Sequence, residues 1–249
     1  MPIEIWSAPE IEKLRRACAA AKATLDVVEG AVRAGMSTKA IDELVRADTK
    51  ARGGTPSQLG YEGFPAAVCT SRNDVVCHGI PSAREFVGDG DIINVDVTTC
   101  LDGFHGDTSR TFLVGPPSAD ARRVVEAARA CLHAGIAVVK PGARLGDVGA
   151  AIVDEARRRR VSVVRDFGGH GIGRAMHMEP HVSHVAVRNS GPRLVAGMAF
   201  TIEPMVNLGR ADVRVTSDGW RVVTSDGSLS AQFEHTVVVV DGGVEVLTA

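Results

Sequence analysis

The sequence predicts one α/β (α+β) domain over residues 1–249, made of two pseudo-symmetric halves in which a pair of helices lies over strands. Three observations predict it. The order helix, helix, strands occurs twice, and acidic residues recur inside the strands at matched positions. The third is size: 249 residues, 45% of them hydrophobic, suit one large core. The two repeats span about 10–115 and 118–247.

The first helix pair is predicted from its capping residues. Ser7 and Glu10 form a capping-box pattern with Pro9 in the first turn, and apolar residues follow at helical spacing. Gly35 is expected to end this helix, and either Ser37 or Thr38 to begin the second.

Short β-rich runs and a second helix pair follow. Ser118 is expected to cap a helix that runs to about Val139, and residues 145–160 form the fourth helix. The strands are predicted from alternating or apolar runs at residues 91–99, 108–114, 236–240 and 244–247.

The repeat can be aligned on the turn between the helices of each pair. Aligning Gly35 with Gly142 gives an offset of 107 residues, and the same offset aligns Ile41 with Val148. The tripeptide His-Gly-Ile also occurs twice, at 78–80 and 170–172, although its offset is different.

Four acidic residues lie in apolar strands, where a carboxylate is costly unless it is paired or bound to a cation. The offset of 107 matches Asp96 with Glu203, and Asp107 matches Glu234 if about twenty residues are inserted. One such Asp would be interpreted as a solvent-facing side chain. Four together predict a cluster whose charge of −4 two divalent cations would cancel.

A histidine completes the predicted metal site. His170 lies among glycines, which are expected to let the backbone bend, and it supplies a nitrogen ligand to an oxygen-rich set that suits Mn, Fe or Co. Two metals that share a water favour hydrolysis, with Glu203 as a proton acceptor. His78 and His177 are candidates to stabilise the oxyanion and assist the leaving group. The other histidines are interpreted as structural or surface groups: His105, His133, His181, His184 and His235.

Composition excludes several classes of protein. With 28 basic and 30 acidic residues, the chain lacks the charge of a nucleic-acid-binding protein, and the Arg157–Arg160 run is interpreted as a solvated helix end. The sequence shows no secretory signal and no membrane-spanning segment. Five scattered cysteines predict reduced thiols in a cytoplasmic protein.

Five ordered motifs make the chain closely resemble the type I methionine aminopeptidases, a group within the M24 metallopeptidases. They are VCTSRNDVVCHGIP, DGFHGDTSRTFLVG, GGHGIGRAMHMEP, FTIEPM and SLSAQFEHTVVV. The resemblance covers essentially the whole chain and implies the pitta-bread fold, with helices covering a curved, mostly antiparallel sheet. It also implies a minimal bacterial-type enzyme, without the N-terminal extensions of some relatives.

The resemblance implies an activity and assigns residues to it. The expected reaction removes the N-terminal methionine of nascent proteins and peptides, preferably before a small second residue, by attack of metal-activated water on the first peptide bond. Two divalent ions, Co, Mn or Fe, would be bound by Asp96, Asp107, His170, Glu203 and Glu234, with Asp107 and Glu234 bridging. His78 and His177 would be the catalytic histidines, with Glu203 handling the proton of the attacking water.

The family's methionine pocket maps onto Tyr61, Phe64, Cys69, Met176 and Trp220, beside His78 and His177. This chain departs from common family residues at Phe64, Met176, Gln58 and Met178. Replacing aromatic by thioether surface is expected to change the shape of the pocket more than the chemistry.

Two other interpretations stay open at this point. One is a proline-specific peptidase of the same fold, which usually carries a large additional N-terminal domain. The other is a binding module that has lost its metals, since fold does not guarantee function. The chain is expected to act as a monomer on nascent N-termini, without membrane or sequence-specific nucleic-acid contacts. Any association with the ribosome would use the surface of the folded domain.

Overall fold

Two helices precede each main block of strands, as the sequence predicts. The structure is a computed structural model that describes residues 2–249. Met1 lies outside them. The described residues form four α-helices and a short 3-10 helix: α1 (Ala8–Ala31), α2 (Thr38–Ala51), α3 (Ala119–Ala137), α4 (Leu145–Arg159) and the 3-10 helix Tyr61–Gly63.

The helix starts are set by the predicted caps, but α1 ends earlier than expected. Ser7 and Glu10 form the capping box of α1, and the Ser37 hydroxyl accepts a hydrogen bond from the Ala40 amide at the start of α2. The expectation that Gly35 ends α1 is wrong. Val32 is already extended, with φ −64° and ψ 127°, and Gly35 serves the connecting turn with φ +82°.

Fifteen strands are present in residues 2–249, and all of their named pairings are antiparallel. They are β1 (Thr55–Pro56), β2 (Cys69–Arg72), β3 (Val75–Cys77), β4 (Ile92–Leu101), β5 (Phe104–Leu113), β6 (Ser162–Val163), β7 (Gly168–Gly171), β8 (Met178–Ser183), β9 (Ala199–Ile202), β10 (Met205–Asn207), β11 (Val213–Val215), β12 (Val222–Thr224), β13 (Ser230–Gln232), β14 (Glu234–Val240) and β15 (Gly243–Val246).

The main sheet joins the two halves at its centre. Its order is β1-β4-β5-β14-β9-β7-β8, with β2 added to β4 and β15 to β14. The hairpin β4–β5 comes from the first half, and the pair β9–β14 from the second. Strands β5 and β14 pair with each other, so the pseudo-symmetric elements meet there. Two three-stranded sheets, β13-β10-β6 and β11-β12-β3, complete the fold.

The β4–β5 hairpin is longer than the sequence predicts, because its turn has only two residues. Asp102 and Gly103 both adopt positive φ, 51° and 75°, and Leu101 pairs with Phe104 directly beside them. The predicted second strand began four residues later, at Thr108. Pairing that continues up to the turn extends the sheet beneath α1.

Each helix pair covers its own hydrophobic cluster, as the predicted duplication requires. Helices α1 and α2 pack on β4 and β5, while α3 and α4 enclose a larger cluster against β9 and β14. Ile41 and Val148, which the repeat alignment matches, are both fully buried. Within residues 2–249, no helix has the length and apolar character needed to cross a bilayer.

Close approach of α1 to β5 depends on Gly106, which gives a test of this packing. A Cβ at Gly106 would lie 2.3 Å from the backbone nitrogen of Cys18 and 2.4 Å from the carbonyl carbon of Ala17. We predict that Gly106→Ala lowers the free energy of unfolding by about 3 kcal/mol, because α1 must move off the sheet.

Urea denaturation of Gly106→Ala measures this loss, with Gly30→Ala as the matched control. Gly30 lies within α1 and has open space around its Cβ position, so alanine there should raise stability by up to about 1 kcal/mol. Equal stabilities for the two variants would contradict the proposed contact.

Candidate metal centre and active site

One cavity of about 380 Å³ collects every residue that the sequence assigns to the site. It opens between the first and second halves, above the central strands of the main sheet. The twelve predicted residues in its wall are Tyr61, Phe64, Cys69, His78, Asp96, Asp107, His170, Met176, His177, Glu203, Trp220 and Glu234. The roles of these residues stay predictions. The fold does bring them together from distant parts of the chain into one cavity.

The four carboxylates come from the pseudo-symmetric strands. Asp96 and Asp107 belong to β4 and β5, Glu234 begins β14, and Glu203 follows β9 directly. Because β5 and β14 are neighbours at the junction of the halves, their carboxylates meet in the middle of the sheet. Ligand atoms of Asp107, His170 and Glu234 all lie within 4.8 Å of one another, a grouping that can hold a metal ion.

His170 is positioned as a neutral nitrogen ligand. Its Nδ1 lies 3.1 Å from the Gly171 carbonyl oxygen, which can only accept a hydrogen bond, so Nδ1 carries the proton. The lone pair of Nε2 then points to Asp107 Oδ2 at 3.7 Å and Glu203 Oε1 at 3.5 Å. Burial, with a smaller effect of His177, lowers the pKa of His170 to about 3.

The glycines around His170 do more than allow the predicted bend, which agrees with the shift in the β7–β8 register between His170 and Gly171. His170 lies in strand β7, and its neighbouring glycines allow other strands to come close. A Cβ at Gly169 would lie 2.3 Å from the Thr201 carbonyl oxygen, and one at Gly171 would lie 2.0 Å from that of Glu179. The His-Gly-Ile at 78–80 differs in conformation from the one at 170–172. His78 follows β3 and lies in the left-handed region with φ +56°, whereas His170 lies within β7.

The carboxylates strongly favour protonation when no cation is present. Burial raises the pKa of Asp96 to about 7 and that of Glu203 to about 8. Burial and the neighbouring carboxylates raise the pKa values of Asp107 and Glu234 well above the ordinary range. Among residues 2–249, no hydrogen-bond partner is found for the buried Glu234 Oε1. These residues therefore fit divalent cations, which supply both charge and a partner for that oxygen.

A ring of neutral donors orients the carboxylates. Thr98 Oγ1 donates to Asp107 Oδ1 at 2.8 Å, and Thr201 Oγ1 donates to Glu203 Oε1 at 2.7 Å. Sequence reasoning missed both threonines, although each lies two residues from an acidic residue, which puts it on the same side of an extended chain.

Two glutamines complete this ring from distant segments. Gln58 Nε2 donates to the backbone oxygen of Asp96 at 2.9 Å and to its Oδ1 at 3.2 Å. Gln232 Nε2 lies 3.2 Å from Glu203 Oε2. The sequence marks Gln58 only as a departure from the family, and it contains no signal for Gln232.

The histidines set aside as structural or surface groups divide into two kinds. His184 is fully buried and accepts a hydrogen bond from the Glu203 amide at 3.1 Å, so it supports the site from behind. His105 bonds to the Ser57 hydroxyl. His181 is an exposed surface group, as interpreted, and it also lines the cavity.

The two predicted catalytic histidines line the same cavity as the predicted metal ligands. The ring of His177 lies 4.3 Å from that of His170, and its Nδ1 is 2.8 Å from the Tyr61 hydroxyl. The ring of His78 packs edge-on against Phe167 at 5.6 Å and Trp220 at 6.3 Å. Burial lowers the pKa of His78 to about 4, which keeps this imidazole neutral at pH 7.

Aromatic and sulfur-containing side chains form the apolar part of the cavity. Phe64 and Trp220 pack edge to face with ring centroids 5.1 Å apart, next to the buried Cys69. Met176 is also buried, and Phe167 adds a wall that the sequence did not predict. An unbranched apolar side chain suits such a surface.

Comparison with known proteins identifies the family. The family model "Metallopeptidase family M24" matches residues 12–241. The chain belongs to metallopeptidase family M24. It is 51% identical to methionine aminopeptidase B of Synechocystis over 98% of this chain and 91% of that one. The predicted family is therefore confirmed.

Solved structures of M24 proteins also support the predicted pitta-bread fold. A methionine aminopeptidase from Rickettsia prowazekii superposes with a TM-score of 0.98, at 42% identity and with complete coverage of both chains. A prolidase from Pyrococcus furiosus shares the fold at a TM-score of 0.78 and 19% identity, covering 98% of this chain but 65% of its own. The prolidase likeness is one of fold alone.

Gln58 offers a test of the donor ring around this M24 site. We predict that Gln58→Leu weakens Mn²⁺ binding by about tenfold, because Asp96 loses the amide that orients it. Isothermal titration of chelator-treated protein measures the affinity. Thr99→Val is the matched control, since Thr99 is a buried residue of β4 whose hydroxyl has no hydrogen-bond partner within residues 2–249. Unchanged affinity in Gln58→Leu would argue against an orienting amide.

Proposed function

We propose that this M24 protein is a methionyl aminopeptidase that hydrolyses the first peptide bond of a chain beginning with methionine. The observation that carries the proposal is the cavity, in which four carboxylates, three of them buried and Asp96 half-buried, lie with His170 beside two neutral histidines and an apolar wall. Three relatives at 45–51% identity are named methionine aminopeptidases, which supports the same reaction.

We infer that the site binds two divalent ions. Four carboxylates carry −4, and two such ions cancel that charge, whereas one would leave a net charge buried. Oxygen ligands with one imidazole suit Mn, Fe or Co. Asp107 and Glu234, which the family resemblance assigns as shared ligands, would hold both ions from the two strands that pair at the centre of the sheet. When bound, the ions would polarise the substrate carbonyl and acidify an attacking water.

Glu203 is suited to accept the proton of the attacking water. Each of its oxygens receives one hydrogen bond, from Thr201 and from Gln232, so both retain a lone pair. Its backbone amide is fixed by His184, which restricts the movement of the carboxylate. A proton acceptor with a fixed position is required for general base catalysis.

His78 and His177 are suited to the carbonyl side of the reaction. A neutral imidazole can donate one hydrogen bond to the oxygen that becomes negative in the tetrahedral intermediate. The Tyr61 hydroxyl at His177 Nδ1 fixes the ring orientation. We propose that His177 and His78 contact the carbonyl oxygen and the following amide of the substrate.

The methionine side chain is proposed to fill the apolar wall formed by Phe64, Cys69, Met176 and Trp220, with Tyr61 near the mouth. A small second residue is expected from the family resemblance, which implies a tight space beyond the scissile bond. The proposed substrates are nascent polypeptide N-termini in the cytoplasm. A monomeric state and any contact with the ribosome surface stay predictions.

Peptide hydrolysis after metal exchange tests this function. Chelator-treated protein, reloaded with Mn²⁺, Co²⁺ or Fe²⁺, is offered Met-Ala-Ser, Met-Leu-Ser and Ala-Pro peptides. We predict metal-dependent release of methionine from Met-Ala-Ser, with turnover of Met-Leu-Ser lower by about a hundredfold or more, since a bulky second residue cannot enter.

His170→Ala is the matched loss-of-function variant, and its activity should fall by at least about a thousandfold because one metal loses its nitrogen ligand. Substantial residual activity would contradict the ligand assignment. Cleavage of Ala-Pro would favour a proline-specific peptidase, and no turnover with any metal would favour a binding module.

A further inference from the structure

Glu62 is the charged residue of the cavity that the reaction leaves without a role. It lines the wall next to Tyr61, whose hydroxyl contacts His177, and it is exposed to solvent. None of the ion pairs found in residues 2–249 involves it. Its carboxylate therefore stands at the mouth of the site, available to a ligand.

The charges of the cavity leave the Glu62 carboxylate without a compensating positive charge. Within residues 2–249, five carboxylates line the cavity, and no lysine or arginine does so. Four of them are the proposed metal ligands, and two divalent ions would cancel their charge. Glu62 is then the uncompensated charge that an approaching substrate meets.

The backbone fixes the position of Glu62. It lies in the 3-10 turn Tyr61–Gly63 in the left-handed region, with φ +48° and ψ +25°, between Gly60 at φ +82° and Gly63 at φ +90°. This backbone conformation is strained for a glutamate. Glycine or asparagine would adopt it at a lower cost in free energy. A residue that keeps this cost at a substrate cavity is a candidate for a functional contact.

We propose that Glu62 selects substrates with a cationic side chain at their third residue. The proposal rests on the proposed aminopeptidase function, in which methionine fills the apolar wall and the second residue lies against the histidines. The third residue is then the first whose long side chain is free to leave the cavity past Tyr61. A lysine or arginine there would reach Glu62, while an acidic side chain would be repelled.

Peptide amides that differ in one side chain test this selection. The series is Met-Ala-Lys-Ser, Met-Ala-Gln-Ser and Met-Ala-Glu-Ser, each with a C-terminal amide so that no terminal carboxylate interferes. For the metal-loaded wild-type protein, kcat/KM should be about tenfold higher for the Lys than for the Glu peptide at about 0.02 M ionic strength. The ratio should fall towards about twofold at about 0.5 M salt, because screening weakens exposed charge pairs.

Variants assign the preference to this residue. In Glu62→Gln the Lys/Glu ratio should fall to about one or two, and in Glu62→Lys it should reverse. Glu43→Gln is the matched control, because Glu43 is an exposed carboxylate of α2 outside the cavity, and it should keep the wild-type ratio. Ratios are compared within each variant, so a general change in turnover does not affect the result.

A wild-type ratio near one, or an unchanged ratio in Glu62→Gln, would overturn the selectivity. Hydrolysis of the neutral Gln peptide reports the proposed function separately. Turnover of that peptide without any charge preference would reject the role of Glu62 alone, whereas failure to cleave any of the three peptides would reject the function itself.

Discussion

Four carboxylates at the junction of two half-domains, three of them buried and Asp96 half-buried, are the constraint on which the rest of this structure depends. Burial and mutual repulsion make their ionised forms unfavourable, as the raised pKa values of all four indicate. A core that contains them is stable only if they are protonated or bound to cations. Folding disfavours ionised carboxylates at the centre of the sheet, whereas metal binding requires them. Bound metal ions would neutralise the carboxylates and so remove this conflict.

Much of the surrounding architecture keeps these carboxylates in position. The pairing of β5 with β14 joins the halves and brings Asp107 near Glu234. Glycines in β7 let that strand approach its neighbours closely enough to place His170 over the carboxylates. Neutral hydroxyl and amide donors then fix each carboxylate without adding charge to the cluster. The two helix pairs bury apolar clusters on either side and make this centre rigid.

The sequence predicts the parts of this arrangement that leave a periodic or repeated pattern. Capping residues indicate the starts of α1, α2 and α3, and one offset matches Asp96 with Glu203 because the order of helices and strands is repeated. The end of α1 was misjudged at Gly35, since a glycine with positive φ marks a turn and not necessarily a helix end. Long-range partners such as Gln58 and Gln232 could not be predicted, because their contacts depend on how distant loops close over the sheet.

The most direct test of the account is the number and position of metal ions in the protein. Crystals of Mn²⁺-loaded protein, measured at the manganese absorption edge, give anomalous peaks that locate each ion. For the proposed two-metal site we predict two peaks of comparable height, both within coordination distance of Asp107 and Glu234, with His170 beside one of them. A single peak at full occupancy with saturating Mn²⁺, or peaks remote from these carboxylates, would contradict it.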